Sequence, residues 1–129
     1  MTDQEVFDKV VTALRKQGRR SSMMQPHPEY GSQEICRYRG PRGVKCAAGH
    51  LIPDELYDEE MEGKDWNSIV ENWPSIAALN LPTDLVSEFQ YIHDHHSIGD
   101  WETFWGVLAE KYSLAYTPCS RQIRSIIRY

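Results

Sequence analysis

No apolar run in this 129-residue chain approaches the ~20 residues that a membrane-spanning helix needs. The N-terminal stretch Met1-Thr2-Asp3-Gln4-Glu5 is acidic and leads into an amphipathic pattern, unlike a signal peptide. Cysteine is scarce: three residues, an odd number, suit reduced thiols rather than a disulfide framework. A cytoplasmic protein is the expectation. A basic excess is lacking too, with 14 Lys+Arg against 19 Asp+Glu and a net charge of −5. That argues against a protein whose main task is neutralising a phosphate backbone. Gly-x-Gly-x-x-Gly, a phosphate-binding loop, a Ser-centred elbow and His-Glu-x-x-His are all missing. So are internal repeats, low-complexity tracts and linkers, and one domain over residues 1–129 is expected.

What is present points to a folded core. Hydrophobic residues make up 40% and aromatics 11%, too many for a disordered chain. Thr2 and Glu5 have capping-box spacing, and Val6, Phe7, Val10 and Leu14 recur on one face. Gly18 then closes a helix predicted over 3–17. Residues 19–31 read as loop, because Pro26-His27-Pro28 blocks regular structure. Ile35–Arg39 and Val44–Ala47 flank Gly40-Pro41-Arg42-Gly43 and predict a hairpin. Pro53-Asp54-Glu55 suits a short helix through Tyr57. Asp65 is an expected N-cap for a helix carrying Trp66, Ile69, Val70 and Trp73, interrupted near Pro74. Thr83 is an expected N-cap for the helix with Leu85, Val86, Phe89 and Ile92, and Asp100 for that with Trp101, Trp105, Leu108 and Tyr112. Residues 118–129 suit helix or strand. The fold class is α+β, mainly helical: about five helices around one core, with a small β-hairpin near residues 35–47.

Charge is segregated along the chain. Residues 15–45 hold eight basic side chains, including Arg37, Arg39, Arg42 and Lys45, against Glu29 and Glu34. Residues 54–71 hold eight acidic ones, including Asp58, Glu59, Glu60 and Glu62, against Lys64 alone. Either the two blocks face one another and relieve self-repulsion, or one is a docking surface for a protein partner. Asp58, Glu59, Glu60 and Glu62 on one side, with Arg37, Arg39 and Arg42 on the other, are the candidate partner-binding residues. Nucleic-acid binding through the basic hairpin is the weaker version, because its arginines lack interleaved aromatics.

Cys36, Cys46 and His50 are candidate metal ligands. A hairpin brings the two thiols near one another, and zinc takes thiolate and imidazole readily. No compact Cys-x-x-Cys knuckle is present, and two small buried thiols fit the same pattern. His93, Asp94, His95 and His96 invite a metal-dependent hydrolase reading. Helical spacing instead places His96 in the apolar stripe, His93 on its edge and Asp94 pointing away. Cys46 as a nucleophile beside His50 needs a helical segment, which Gly49 opposes.

Cys36-Arg37-Tyr38-Arg39 followed by Lys45-Cys46-Ala47-Ala48-Gly49, Leu51-Ile52-Pro53-Asp54-Glu55 and Met61-Glu62-Gly63 resembles a group of small uncharacterised proteins from tailed phages and bacteria. The resemblance covers residues 36–63. Relatives in that group often carry Cys where this chain has His50, which implies a zinc ligand there, and the resemblance implies a phage-related origin. The leading expectation is a non-enzymatic interaction protein, such as a phage-encoded inhibitor or modulator of a host enzyme or defence complex. The alternative is a small zinc protein or metal-dependent hydrolase using Cys36, Cys46 and His50 or the His93–His96 group.

Overall fold

The computed structural model describes residues 1–119. The first helix, α1 (Asp3–Gln17), forms as its sequence requires. The Thr2 hydroxyl accepts from the Glu5 N–H, the Glu5 carboxylate accepts from the Thr2 N–H, and Gly18 closes the helix in the left-handed conformation. Four short 3-10 turns between residues 41 and 61 then lead to helices α2 (Trp66–Asn72), α3 (Pro74–Ala77), α4 (Thr83–His95) and α5 (Trp101–Lys111), the last two joined by a further 3-10 turn at Ile98–Asp100. Asp65 caps α2 through the Ser68 N–H. Pro74 ends that helix and opens α3, since proline is tolerated in a first turn and not further in. Pro82 is the N-cap of α4, and Thr83 is its first residue rather than the cap. Asp100 precedes α5 as expected, but its carboxylate accepts from the Ser97 hydroxyl instead of from the helix. Asp54–Leu56 is a 3-10 turn.

One buried cluster draws on every helix: Val6, Phe7, Val10 and Leu14 from α1, Trp66 and Ile69 from α2, and Ile76 from α3 join Leu85, Val86 and Phe89 from α4 and Trp101, Trp105 and Leu108 from α5. Phe7 and Phe89 meet at 5.4 Å between ring centres. Burying each such side chain stabilises the fold by roughly 1.5–3 kcal/mol before the cost of ordering it. The fold is mainly helical α+β, with five helices and one two-stranded sheet among the described residues.

The hairpin lies elsewhere than its sequence suggests. Strands β1 (Ser22–His27) and β2 (Gly31–Cys36) pair antiparallel, from Ser22 opposite Cys36 to His27 opposite Gly31. Pro26 is admitted because both strands of a two-stranded sheet are edges, where a missing N–H need not break a ladder. At the turn, His27 Nδ1 accepts from the N–H groups of Glu29 and Tyr30, and Gly31 takes the positive φ of +81° that a side chain resists. Residues 40–44 do turn, with the Gly40 N–H donating to the Val44 carbonyl at 2.8 Å. No strand returns from that turn, because the Gln17 side chain takes the Lys45 backbone: it donates to the Lys45 carbonyl and accepts from its N–H, both at 2.9 Å. Gly49 is needed where the loop crosses Tyr38, since a Cβ there would lie 2.3 Å from the Tyr38 carbonyl oxygen. Among the described residues no helix is long and apolar enough to cross a membrane. The helix-or-strand question at 118–129 falls largely on residues 120–129, outside the described part.

Candidate functional site

The two charged blocks meet. The Arg37 guanidinium lies 3.2 Å from Glu59 and 3.8 Å from Glu62, and Asp54 lies 3.1 Å from Arg39 and 3.4 Å from Lys45. Lys45, with Arg39 beside it, holds the Asp54 carboxyl below its ordinary range. Glu62 is the hub. Its nearly buried carboxylate accepts from the backbone N–H groups of Tyr38 and Arg39 at 2.9 and 3.0 Å and from the Tyr57 hydroxyl at 2.6 Å. Burial, reinforced by that carboxylate, pushes the Tyr57 phenol up to about 12. Arg39 also spans the loop, donating to the carbonyls of Gly49 and Ile52, and its guanidinium lies over the Tyr57 ring. These residues fasten the 54–62 turns to the body.

Not every charged side chain is used this way. Asp58 caps the turn that follows it through the Glu60 N–H. Glu55, Asp58 and Glu60 are exposed, and no cationic side chain lies within 4 Å of their carboxylates among the described residues, although Lys64 donates to the Glu60 backbone carbonyl at 2.6 Å. Arg42 is exposed at the tip of its turn, with a positive φ of 61°.

Cys36, Cys46 and His50, expected together, occupy three separate settings and form no common ligand group. The hairpin carries Cys36 away on β2, while Cys46 is fully buried in the loop and accepts from the Gly49 N–H through Sγ. His50 Nε2 lies 3.0 Å from Gln17 Oε1. Burial and the nearby Lys45 and Arg39 charges lower the His50 imidazole to about 4. Cys46 and His50 do not face each other as nucleophile and base.

The structure instead joins Cys36 to His93 and Asp94, whose donor atoms lie within 4.8 Å of one another. His93 is the buried histidine of α4, and Asp94 does not point away: its carboxylate turns back to His93 Nδ1 at 2.8 Å. His96 is half-buried, its ring stacked on Phe104 at 3.6 Å, and exposed His95 packs against Tyr91. The buried Ser21 N–H donates to His93 Nε2 at 3.0 Å. That nitrogen therefore carries no proton, and Nδ1–H donates to Asp94. Gln90 donates its amide to the same carboxylate while its carbonyl oxygen accepts from the Ala48 N–H. Burial, then the Asp94 charge, pushes the Cys36 thiol up to about 12. It stays protonated and is no nucleophile near neutrality. A metal on these three residues would need the thiol and Nδ1 protons removed, and moving the imidazole proton to Nε2 would set it against the Ser21 N–H. The three donors fit a hydrogen-bonded brace between hairpin and helix better than a metal centre.

Beside the brace lies a cleft of about 590 Å³ between β2, the Gly63–Asn67 stretch and α4. Trp66, Gln90, Tyr91, Asp94 and Cys36 line it. The linear pattern hid this grouping, since Cys36 and Asp94 come from distant elements. Only the four-residue spacing of Gln90 and Asp94 on one helix signalled part of it. No protein-family model, no curated protein and no solved structure matches the chain.

Proposed function

We propose that this is a non-enzymatic interaction protein that docks on the basic surface of a cytoplasmic protein partner. The carrying observation is the division of labour within the acidic segment. Glu62, Asp54 and Glu59 hold the turns against Arg37, Arg39 and Lys45, so that Glu55, Asp58 and Glu60 project from a braced backbone. Carboxylates presented without loop ordering lose less entropy on binding and steer a cationic partner by charge. Arg37 and Arg39, expected as a second docking face, serve this brace, and Arg42 remains exposed at its edge. The protonated Cys36 thiol and the separated Cys46 and His50 support a binding reading over the metal-hydrolase one. The phage resemblance adds a context, modulation of a host enzyme or defence complex.

The test is quantitative cross-linking of wild type and a Glu55→Lys, Asp58→Lys, Glu60→Lys triple variant in cell extract, with Arg42→Glu as the comparison. The reading expects a defined protein to be captured by wild type, lost with the triple variant and retained by Arg42→Glu. Equal capture by wild type and the triple variant rejects it.

A further inference from the structure

The pairing of the hairpin leaves one of its two edges open. The Arg37 N–H donates to the Ser21 carbonyl at 3.0 Å, which makes these two a directly bonded pair, and in this register Met23 with Ile35 and Gln25 with Gln33 continue the series. Ser22, Met24 and Pro26 on β1, and Ser32, Glu34 and Cys36 on β2, therefore turn their backbone polar groups away from the partner strand. On β1 that outward series contains Pro26, which has no N–H, and an outward proline blocks an edge against further pairing. β2 carries no such guard. The next outward residue along its line is Tyr38, whose N–H goes to the Glu62 carboxylate at 2.9 Å. Glu62 thus stands at Tyr38 where an adjacent strand would be. At Glu34 and Cys36 nothing does: neither backbone N–H has an acceptor among the described residues.

This open edge lines the cleft of about 590 Å³, through Glu34, Ile35 and Cys36. On the far side α4 presents Tyr91, 58% exposed, as a surface for a neighbouring side chain to cover. The bases of the cleft are engaged, Arg37 by Glu59 and Glu62 and Lys64 by the Glu60 carbonyl. Glu34 is the acid at the edge itself. Its side chain is 50% exposed and meets Arg20 through a single 3.3 Å contact, so its carboxylate keeps acceptor sites for a second cation.

We propose that an extended, basic peptide segment of a protein partner adds to β2 as a third strand, its backbone pairing with Glu34 and Cys36 and a lysine or arginine side chain lying beside Glu34. Main-chain hydrogen bonds hold such a strand, and the opposite-charge pair across the strands sets its register. A second copy of the chain suits the edge less well, because pairing through its own β2 brings another Glu34 and another α4 into the same space. The site is separate from the exposed carboxylates of Glu55, Asp58 and Glu60, whose reversal leaves it intact.

The test is titration of the full ¹⁵N-labelled chain with an end-capped Thr-Val-Lys-Val-Thr peptide, following the backbone amide resonances. The expected result is a saturable shift centred on the Glu34 and Cys36 amides. N-methylation of the peptide's lysine nitrogen in the backbone, which removes the donor facing Glu34, abolishes it. Glu34→Gln keeps the edge and loses the charge, and weakens binding about two- to fivefold. Glu34→Pro repeats on β2 what Pro26 does on β1: the ladder between the strands keeps its bonds, and peptide binding is lost. If that variant does not fold, the N-methylated peptide and Glu34→Gln decide. The proposal is overturned by the absence of a saturable shift, by equal binding of the N-methylated peptide, or by shifts of the same amides that follow protein concentration without peptide, the mark of a second copy on the edge.

Discussion

His93 Nε2 lies 3.0 Å from the backbone nitrogen of Ser21 and accepts its hydrogen bond in a fully buried setting. This contact joins the start of the hairpin to the last turn of α4. Arg20 reinforces it by donating to the carbonyls of His93 and His96, oxygens that a helix end leaves without intrahelical partners. The hairpin is otherwise little packed on the helices, and a lone two-stranded hairpin is marginal in water.

Removing the imidazole therefore uncouples hairpin from helix. His93→Phe keeps the volume but leaves the Ser21 N–H unsatisfied, and is expected to cost about 2–3 kcal/mol. Urea unfolding gives the value, and hydrogen exchange should show β1 and β2 amides losing protection first. An unchanged midpoint would remove His93 from the role of brace.

Glu62 and Glu60 separate structural from presented carboxylates. Glu62→Ala strands two backbone N–H groups and the Tyr57 hydroxyl, for an expected loss of about 2–4 kcal/mol. Glu60→Lys, on the exposed turn, is expected to stay within about 0.5 kcal/mol of wild type. Paired thermal melts of the two variants check the contrast.

Stability should fall in mild acid through His50. Its folded value of about 4 lies below the ordinary 6.5, so the unfolded chain binds the extra proton first. The contribution is complete above pH 6.5 and is lost as pH falls from there toward 4. Because the ring is only partly buried, solvent screening leaves about 1–2 kcal/mol of this. Urea midpoints at pH 7 and 4.5 should converge in His50→Gln relative to wild type.

Cys36 should react slowly with iodoacetamide near neutrality despite being only half-buried, because its thiol is held up to about 12. Asp94→Asn, by removing the adjacent negative charge, should speed the reaction in the folded protein. A rapid wild-type rate under native conditions would contradict the brace.

The local rules were legible where one element decides its own ends. Thr2 with Glu5, Gly18, Asp65 and Pro74 mark helix boundaries through backbone groups within one turn, and the apolar stripes of α1, α4 and α5 name their buried faces in advance. The hairpin was misplaced because strand pairing depends on competition. Residues 40–44 have turn chemistry, yet Gln17 captures Lys45 before a strand can pair with it. His93 and Asp94 were misjudged for a related reason. Helical spacing gives the direction of a Cβ, not what a carboxylate folds back to meet.

The amino-acid order by itself determined helices α1, α2, α4 and α5, the caps of α1 and α2, the inward faces, and the opposition of a basic and an acidic block, because these follow from short-range backbone sterics and from composition. Tertiary structure alone decided that the blocks pair with each other, that Cys36, Cys46 and His50 part company, and that Cys36, Asp94 and Trp66 come to line one cleft. Those outcomes depend on side chains from distant segments competing for the same few donors and acceptors. That competition is resolved only when the core has closed.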